Sequence, residues 1–311
     1  MRKAKFWAIT TFFNPARYTR RSRNFSIFKT RLNVPLLVVE LSFDGTFELH
    51  KDDCDILVQL TAQSYLWQKE RLLNVALDAL PDFVDHVAWI DCDVIFGDPN
   101  WSDKAMDCLR DTRLLQLFSH LHDLPRDVHD PALHGHLETP FGVPLMAAIA
   151  SGGDVEGHLK PSNGVAMRRS GSGLAWAART DLMQKHRFYD AMVIGSGDRA
   201  MACAGFGRFS YAVDMFRMNP RRTQHYLEWA RPYYNAVDSK MGYLEGNLFH
   251  LWHGDIEDRN YAGRHLDLEA LDFDPYTDLK LSPSGAWEWN NRPDLQKFSL
   301  DYFRSRKEDG L

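Results

Sequence analysis

Cysteine is scarce: Cys54, Cys92, Cys108 and Cys203 are the only four in 311 residues, and no two form a C-x-x-C pair. That excludes a zinc knuckle and a disulfide-dense secreted scaffold, and a reducing cytoplasm is the expected setting. Positive charge is not in surplus either. A formal net charge of -5 provides no global field for phosphate backbones, so no nucleic-acid partner is expected. Long apolar runs are missing too. After the basic start Met1 to Lys5, the run Phe6 to Phe13 is interrupted by Thr10 and Thr11, then meets Asn14-Pro15 and several arginines. It is too short for a membrane span or an export signal. Repeats and low-complexity tracts are absent as well, and the sequence marks no hard domain boundary.

What is present is ordinary globular composition, 44% hydrophobic and 25% charged, enough to bury a large core. The runs FWAITTFF, PLLVVEL, DILVQL and HVAWIDCDVIF read as strands of a sheet covered on both faces. Between the last two, LWQKERLLNVALDAL places Leu66, Leu73, Ala76, Leu77 and Leu80 on one helical face, with Pro81 as the stop. Strands alternating with helices predict an α/β fold with a Rossmann-like, mostly parallel central sheet flanked by helices. In such folds ligands gather beyond the carboxyl ends of the strands. From Ser119 to Pro161 the pattern breaks up into proline, glycine and histidine and reads as loop or insertion. GSGLAWAARTDLM then reads as a strand feeding a helix with Thr180 as N-cap. The end of the chain, DLQKFSLDYFRSR, sets Leu295, Phe298, Tyr302 and Phe303 along one side of a capping helix.

Four features carry chemistry. In AWIDCDVIFGD an apolar strand runs into Asp91 and Asp93, with Asp98 just beyond. Strict alternation puts both carboxylates on one face, whereas a bend aims one of them directly at an oxygen-ligated cation such as Mn²⁺ or Mg²⁺. A cation of that kind stabilises the charge on a departing diphosphate. The bland alternative is a solvated turn. In HLWHGD an extended chain would send His250 and His253 to opposite faces, so one imidazole is expected to join the cation. His253 is favoured because Gly254 permits close backbone approach. In GSGDRA, Asp198 opens a small-residue helix, where it serves either as a cap or as a general base for an acceptor hydroxyl. Finally, FFNPARYTRRSRNF follows the first strand with Arg17, Arg20, Arg21 and Arg23, one or two of which are expected on a diphosphate, while Asn14 is placed to read a base edge. The histidines of the 120–136 segment, His120, His122, His129, His134 and His136, lack zinc-ligand spacing and read as a polar or acceptor-binding loop.

In order and local flavour, over roughly residues 6 to 254, these motifs resemble the GT-A glycosyltransferases. The likeness is nearest to the β-1,4-galactosyltransferases and polypeptide N-acetylgalactosaminyltransferase catalytic domains. WQKERLLN is similar to the segment in which an aromatic and a basic residue contact uridine, which implies that role for Trp67 and Lys69. The D-x-D likeness implies that Asp93 ligates the metal and Asp91 lies near the donor ribose or sugar. SGSGLAWAARTDL is similar to the strand beneath the donor sugar, which implies Gly173 and Ala175 there, and LWHGD matches the late metal-ligating histidine in order. The family's acidic pair is reduced here to Asp198 alone.

The resemblance implies a metal-dependent transferase moving a sugar from a nucleotide-diphosphate sugar, a UDP-sugar first, to a hydroxyl acceptor with inversion. Its expected site is Asp198 as base; Thr11, Asn14, Arg17, Trp67, Lys69, Asp91 and Gly173 on the donor; and Asp91, Asp93 and His253 on Mn²⁺ or Mg²⁺. The organisation implied is a domain over 1–255, with a donor half to about 118 and an acceptor half from 119, and a C-terminal cap over 256–311. A nucleotidyltransferase would share the sheet and carboxylates, but no glycine-rich phosphate loop follows Thr11. A carbohydrate-binding module would suit the nine tryptophans, and a metal hydrolase would use the histidines without an H-E-x-x-H pattern.

Overall fold

The computed structural model describes residues 5–131, 143–162, 165–166, 170–261 and 263–310. In chain order the elements are β1 (Phe6–Phe13), α1 (Thr19–Arg31), β2 (Leu36–Ser42), β3 (Ile56–Thr61), α2 (Lys69–Ala79), β4 (His86–Ile90), β5 (Val94–Phe96), α3 (Trp101–Cys108), β6 (Leu114–Gln116) and β7 (His120–Asp123). They continue with β8 (Val143–Pro144), α4 (Leu145–Ala150), α5 (Val155–Leu159), β9 (Pro161–Ser162), β10 (Val165–Ala166), β11 (Ser170–Gly171), β12 (Ala175–Arg179), α6 (Thr180–His186), α7 (Gly197–Gly205), α8 (Phe209–Met215) and α9 (Pro220–Val237). Last come β13 (Met241–Tyr243), β14 (Asn247–His250), α10 (Gly263–Ala270), α11 (Pro275–Asp278), β15 (Leu279–Leu281), β16 (Trp287–Trp289) and α12 (Pro293–Ser305).

Seven strands form one sheet in the order β13-β6-β12-β4-β1-β2-β3. β3, β2, β1 and β4 run parallel, β12 is antiparallel to both of its neighbours, and β13 is parallel to β6. The fold is therefore α/β with a mostly parallel central sheet. Alternation along β1 shows why its sequence is apolar throughout: Trp7, Ile9 and Phe13 enter the core on one face, and Phe6, Ala8 and Phe12 enter the core on the other. The strand order reverses between β1 and β4, and the crevice beyond their carboxyl ends is where such sheets bind ligands. Thr10 Oγ1 donates to the Ile90 carbonyl at 2.6 Å, pinning the last residue of β4 to β1 immediately before Asp91.

A second sheet, β5-β14-β7, is built from strands that each follow a strand of the large sheet in the chain: β4 leads to β5, β6 to β7 and β13 to β14. HVAWIDCDVIF is thus two strands, separated by a turn at Asp91 to Asp93, because β5 pairs antiparallel with β14 and the chain must reverse to reach it. The expected loop from Ser119 likewise contains β7, α4 and α5; β7 is ordered by pairing with β14 across more than a hundred residues, a contact invisible to local pattern. His134 and His136 lie outside the described residues.

Two helix starts differ from expectation. α2 begins at Lys69 because Gln68 is held by the β16 backbone, its amide donating to the Trp287 carbonyl and its oxygen accepting from the Trp287 amide. α6 takes Arg179 as its extended N-cap, since β12 runs through that residue; Thr180, the expected cap, is the first helical position, followed by Asp181 in the first turn. The residues after Asp255 share the core of the strands: Leu268, Phe273, Trp289, Leu295, Tyr302 and Phe303 pack in the same cluster as Ile9, Leu37 and Trp89. No helix among the described residues is long and apolar enough to cross a membrane.

Candidate functional site

Two clusters of charged side chains meet at the Asp91–Asp93 turn. On one side Lys69, at the start of α2, reaches Asp91 Oδ1 at 2.6 Å and Asp198 Oδ2 at 2.8 Å. A lysine in the first turn opposes the helix dipole, and the two carboxylates offset that cost. Burial alone would depress the Lys69 ammonium, but Asp198 and Asp91 hold its pKa above the ordinary value. Burial, with Lys69 opposing it, raises the Asp198 carboxyl, the direction a general base needs.

Asp198 does not cap α7. The N-cap is Ser196, in the left-handed region at φ 77°, and the Asp198 side chain turns to Lys69 instead. Gly173 lies against it: a Cβ there would stand 3.3 Å from Asp198 Oδ2. The neighbouring Leu174 carbonyl accepts from the Asp91 amide at 2.7 Å, so the two residues just before β12 border both acids. Glu70, which the sequence reading did not single out, is buried with its carboxyl pressed on Gly197, and burial raises its pKa to about 8.

On the other side of the turn Asp93 faces two histidines. His253 Nε2 is 3.4 Å from Asp93 Oδ2, His250 Nε2 is 3.8 Å from Oδ1, and the two Nε2 atoms are 3.0 Å apart. The expectation that only one imidazole joins is corrected, because β14 ends at His250 and strand alternation no longer applies at His253. These three residues fit a divalent cation. Their donor atoms lie within 4.8 Å of one another, and Asp93 Oδ1 is buried with no hydrogen-bond partner among the described residues. Burial, reinforced by Arg259, holds His253 well below its ordinary pKa, leaving a neutral ring with a lone pair to offer. Two nitrogens 3.0 Å apart match neighbouring ligands each about 2.1 Å from one ion. Asp91 stands apart from this triad, with one of its oxygens committed to Lys69.

The C-terminal segment closes the back of the triad. Glu308, fully buried, pairs with Arg306 Nε at 2.5 Å and Arg21 Nε at 2.5 Å, and its Oε1 is 3.9 Å from His253 Nδ1. Burial would raise that carboxyl, but Arg21 and Arg306 hold it at about 2. Gly254, at φ 90°, is required here because a Cβ would meet the Arg306 carbonyl at 2.7 Å; the close approach is to the chain's own tail. Of the four early arginines Arg21 alone enters this cluster. Arg20 donates to the Arg126 carbonyl, Arg23 is exposed, and Arg17 pairs with Asp44 and Glu48.

The remaining donor candidates occupy the same edge of the sheet in different ways. Half-buried Thr11 lies near the end of β1. Asn14 spends its amide on the Tyr18 carbonyl and Glu48 and accepts from the Tyr18 amide. Asn14 and Arg17 line a recess of about 160 Å³ beyond β1 and β2, together with Phe12, Ser42, Asp44 and Tyr65. Trp67 stacks on Phe303 at 6.1 Å and meets the Phe13 edge at 5.3 Å, with the Arg306 guanidinium 5.3 Å from its ring centre. Asp98 binds Lys104 and the Asn100 amide, outside both clusters. His120 and His122 hold Ser119 and Asn247, respectively.

Neither a family model nor a curated protein sequence matches this chain. Among solved structures it is similar to S. aureus TarS 1–349, at 13% identity and TM-score 0.41, covering 86% of this chain and 65% of that one. The same protein in complex with UDP-GlcNAc gives 14% identity and TM-score 0.42, covering 87% and 68%. M. tuberculosis glucosyl-3-phosphoglycerate synthase, solved in complex with Mn²⁺, UDP-glucose and phosphoglyceric acid, gives 12% identity and TM-score 0.39, covering 92% and 86%. This chain thus spans just under two thirds of the TarS 1–349 chain. Scores of this size supply no residue correspondence, and the two clusters speak through their own geometry.

Proposed function

We propose that this protein is a metal-dependent glycosyltransferase of the GT-A type, taking a nucleotide-diphosphate sugar, a UDP-sugar first, and passing the sugar to a hydroxyl acceptor with inversion. The observation that carries the reading is the juxtaposition at one turn of two different chemistries: the Asp93, His250 and His253 donors on one side, and the Lys69-bound Asp198 on the other. Both lie at the carboxyl edge of the sheet where its strand order reverses.

Asp93, His250 and His253 would hold Mn²⁺ or Mg²⁺, which supplies Lewis-acid stabilisation of the leaving diphosphate. Lys69 fixes Asp91 beside the sugar and orients Asp198. Asp198 takes the acceptor's hydroxyl proton as that oxygen bonds the anomeric carbon. The bond from that carbon to the diphosphate breaks, and its electron pair leaves with the nucleotide. Gly173 leaves room for the sugar against Asp198. The recess lined by Asn14 and Arg17 is the place we assign to the nucleobase. The four unpaired thiols suit a reducing, cytoplasmic setting.

The test is a screen of UDP-sugars for Mn²⁺-supported hydrolysis or transfer, run on the native protein and on Asp198→Asn. Turnover of at least one donor by the native protein is expected, with the variant binding that donor as tightly but turning it over at least 100-fold more slowly, the scale of a lost general base. No turnover of any donor by the native protein, or equal turnover by the variant, contradicts the reading.

A further inference from the structure

Asp123 has no part in the scheme above, yet the small sheet delivers it to the metal triad. Register sets His250 opposite Asp123 across the parallel β14/β7 pair and opposite Val94, the residue after Asp93, across the antiparallel β14/β5 pair. The ladder continues past the strand ends, with the Leu124 amide donating to the His250 carbonyl at 2.8 Å and the Leu251 amide to the Asp93 carbonyl at 2.8 Å. The three backbones are therefore locked at this end of the sheet, and the side chains follow. Asp123 Oδ1 lies 2.7 Å from His250 Nδ1.

A carboxylate oxygen only accepts, so Nδ1 carries a proton and donates it, and of the two tautomers of a neutral ring this contact selects the one with its lone pair on Nε2. That Nε2 is the atom 3.0 Å from His253 Nε2 and 3.8 Å from Asp93. The other Asp123 oxygen is buried without a hydrogen-bond partner among the described residues, so the carboxylate is committed to this one imidazole. We propose that Asp123 is the positioning residue that fixes His250 as an Nε2 ligand, so that Asp93, His250 and His253 form a divalent-cation site complete before any nucleotide binds. The inference rests on the metal-site reading above and goes beyond it in two respects: it adds a ligand-orienting residue, and it makes cation binding independent of the donor. Outer carboxylates of this kind are worth about 10–100-fold in metal affinity.

The experiment is a Mn²⁺ titration of the full chain without nucleotide, following free Mn²⁺ by electron paramagnetic resonance, on the native protein, Asp123→Asn and Asp123→Glu. An asparagine amide can donate to Nδ1 and drive the proton to Nε2, blocking the ligand atom. The native protein is expected to bind one Mn²⁺, Asp123→Asn to raise the Kd by about 10–100-fold, and Asp123→Glu to recover part of the loss. With Co²⁺ in place of Mn²⁺, the visible absorption band of Asp123→Asn should shift, a change that a general loss of stability would not produce. An unchanged Kd in Asp123→Asn overturns the role of Asp123 and leaves the metal site standing. Mn²⁺ bound by the native protein only when UDP is present overturns the preformed site. Mn²⁺ bound under neither condition overturns both this inference and the metal-site reading.

Discussion

Lys69 touches two carboxylates, and their surroundings differ. Asp91 is partly open to solvent beyond the end of β4, whereas Asp198 is held above its ordinary pKa by burial. Glu70 beside them is a measurable consequence of the same burial. Its carboxyl sits at about 8 in the folded chain against about 4.3 when unfolded, so between those values the folded state holds a proton that the unfolded state lacks. Its contribution is fully present below about pH 4 and is lost as pH rises through about 8. Glu70→Gln should therefore flatten the fall in melting temperature between pH 5 and 9, gaining on the native protein most at the alkaline end; parallel curves would show that Glu70 titrates normally. At this scale short motifs with their own chemistry singled out Asp93, His253 and Asp198, whereas Lys69 and Gly173 came only through the resemblance, and Lys69, expected on uridine, is bound to Asp91 and Asp198. Glu70, Asp123 and Glu308 were not singled out, since nothing local marks a carboxylate that is buried against, or paired with, a distant part of the chain.

The C-terminal segment is the element that most needs the rest of the molecule to make sense. Asp309 accepts from the Thr19 amide at 3.0 Å and the Arg20 amide at 2.8 Å, capping α1, which has no cap from its own N-cap residue, Tyr18. Tyr18 in turn donates to the Phe303 and Arg304 carbonyls. Loss of this cap in Asp309→Ala should cost about 1 kcal/mol in urea unfolding. Glu308→Ala leaves Arg21 and Arg306 without their shared carboxylate and should cost more, about 3–5 kcal/mol. Equal costs would show that the Arg21, Glu308 and Arg306 network adds nothing beyond ordinary packing. The long strands were legible as apolar runs and α2 through its helical spacing, signals that each persist over several residues. β5, β7 and β14 were not: each has three or four residues, and they exist only because they pair with one another. The turn that splits Asp91 from Asp93 follows from that pairing, which is why the sequence left a straight strand and a bend both open there.

At the scale of the whole molecule, the large sheet fixes one carboxyl edge and the small sheet stands beyond it, carrying the triad. Hydrophobic pattern announced the large sheet and hence the crevice; the distance from Asp93 to His253 along the chain hid the small one. The central claim is that a cation at Asp93, His250 and His253 links the protein to a nucleotide diphosphate. A ligand that binds only the folded state stabilises it by about 2.7 kcal/mol at 100 times its Kd, which is readily seen as a rise in melting temperature. The decisive measurement is therefore the melting temperature in saturating UDP, once with Mn²⁺ and once with EDTA. A clear rise with Mn²⁺ that largely disappears in EDTA is the expected result; equal shifts in the two buffers, or none in either, would contradict it.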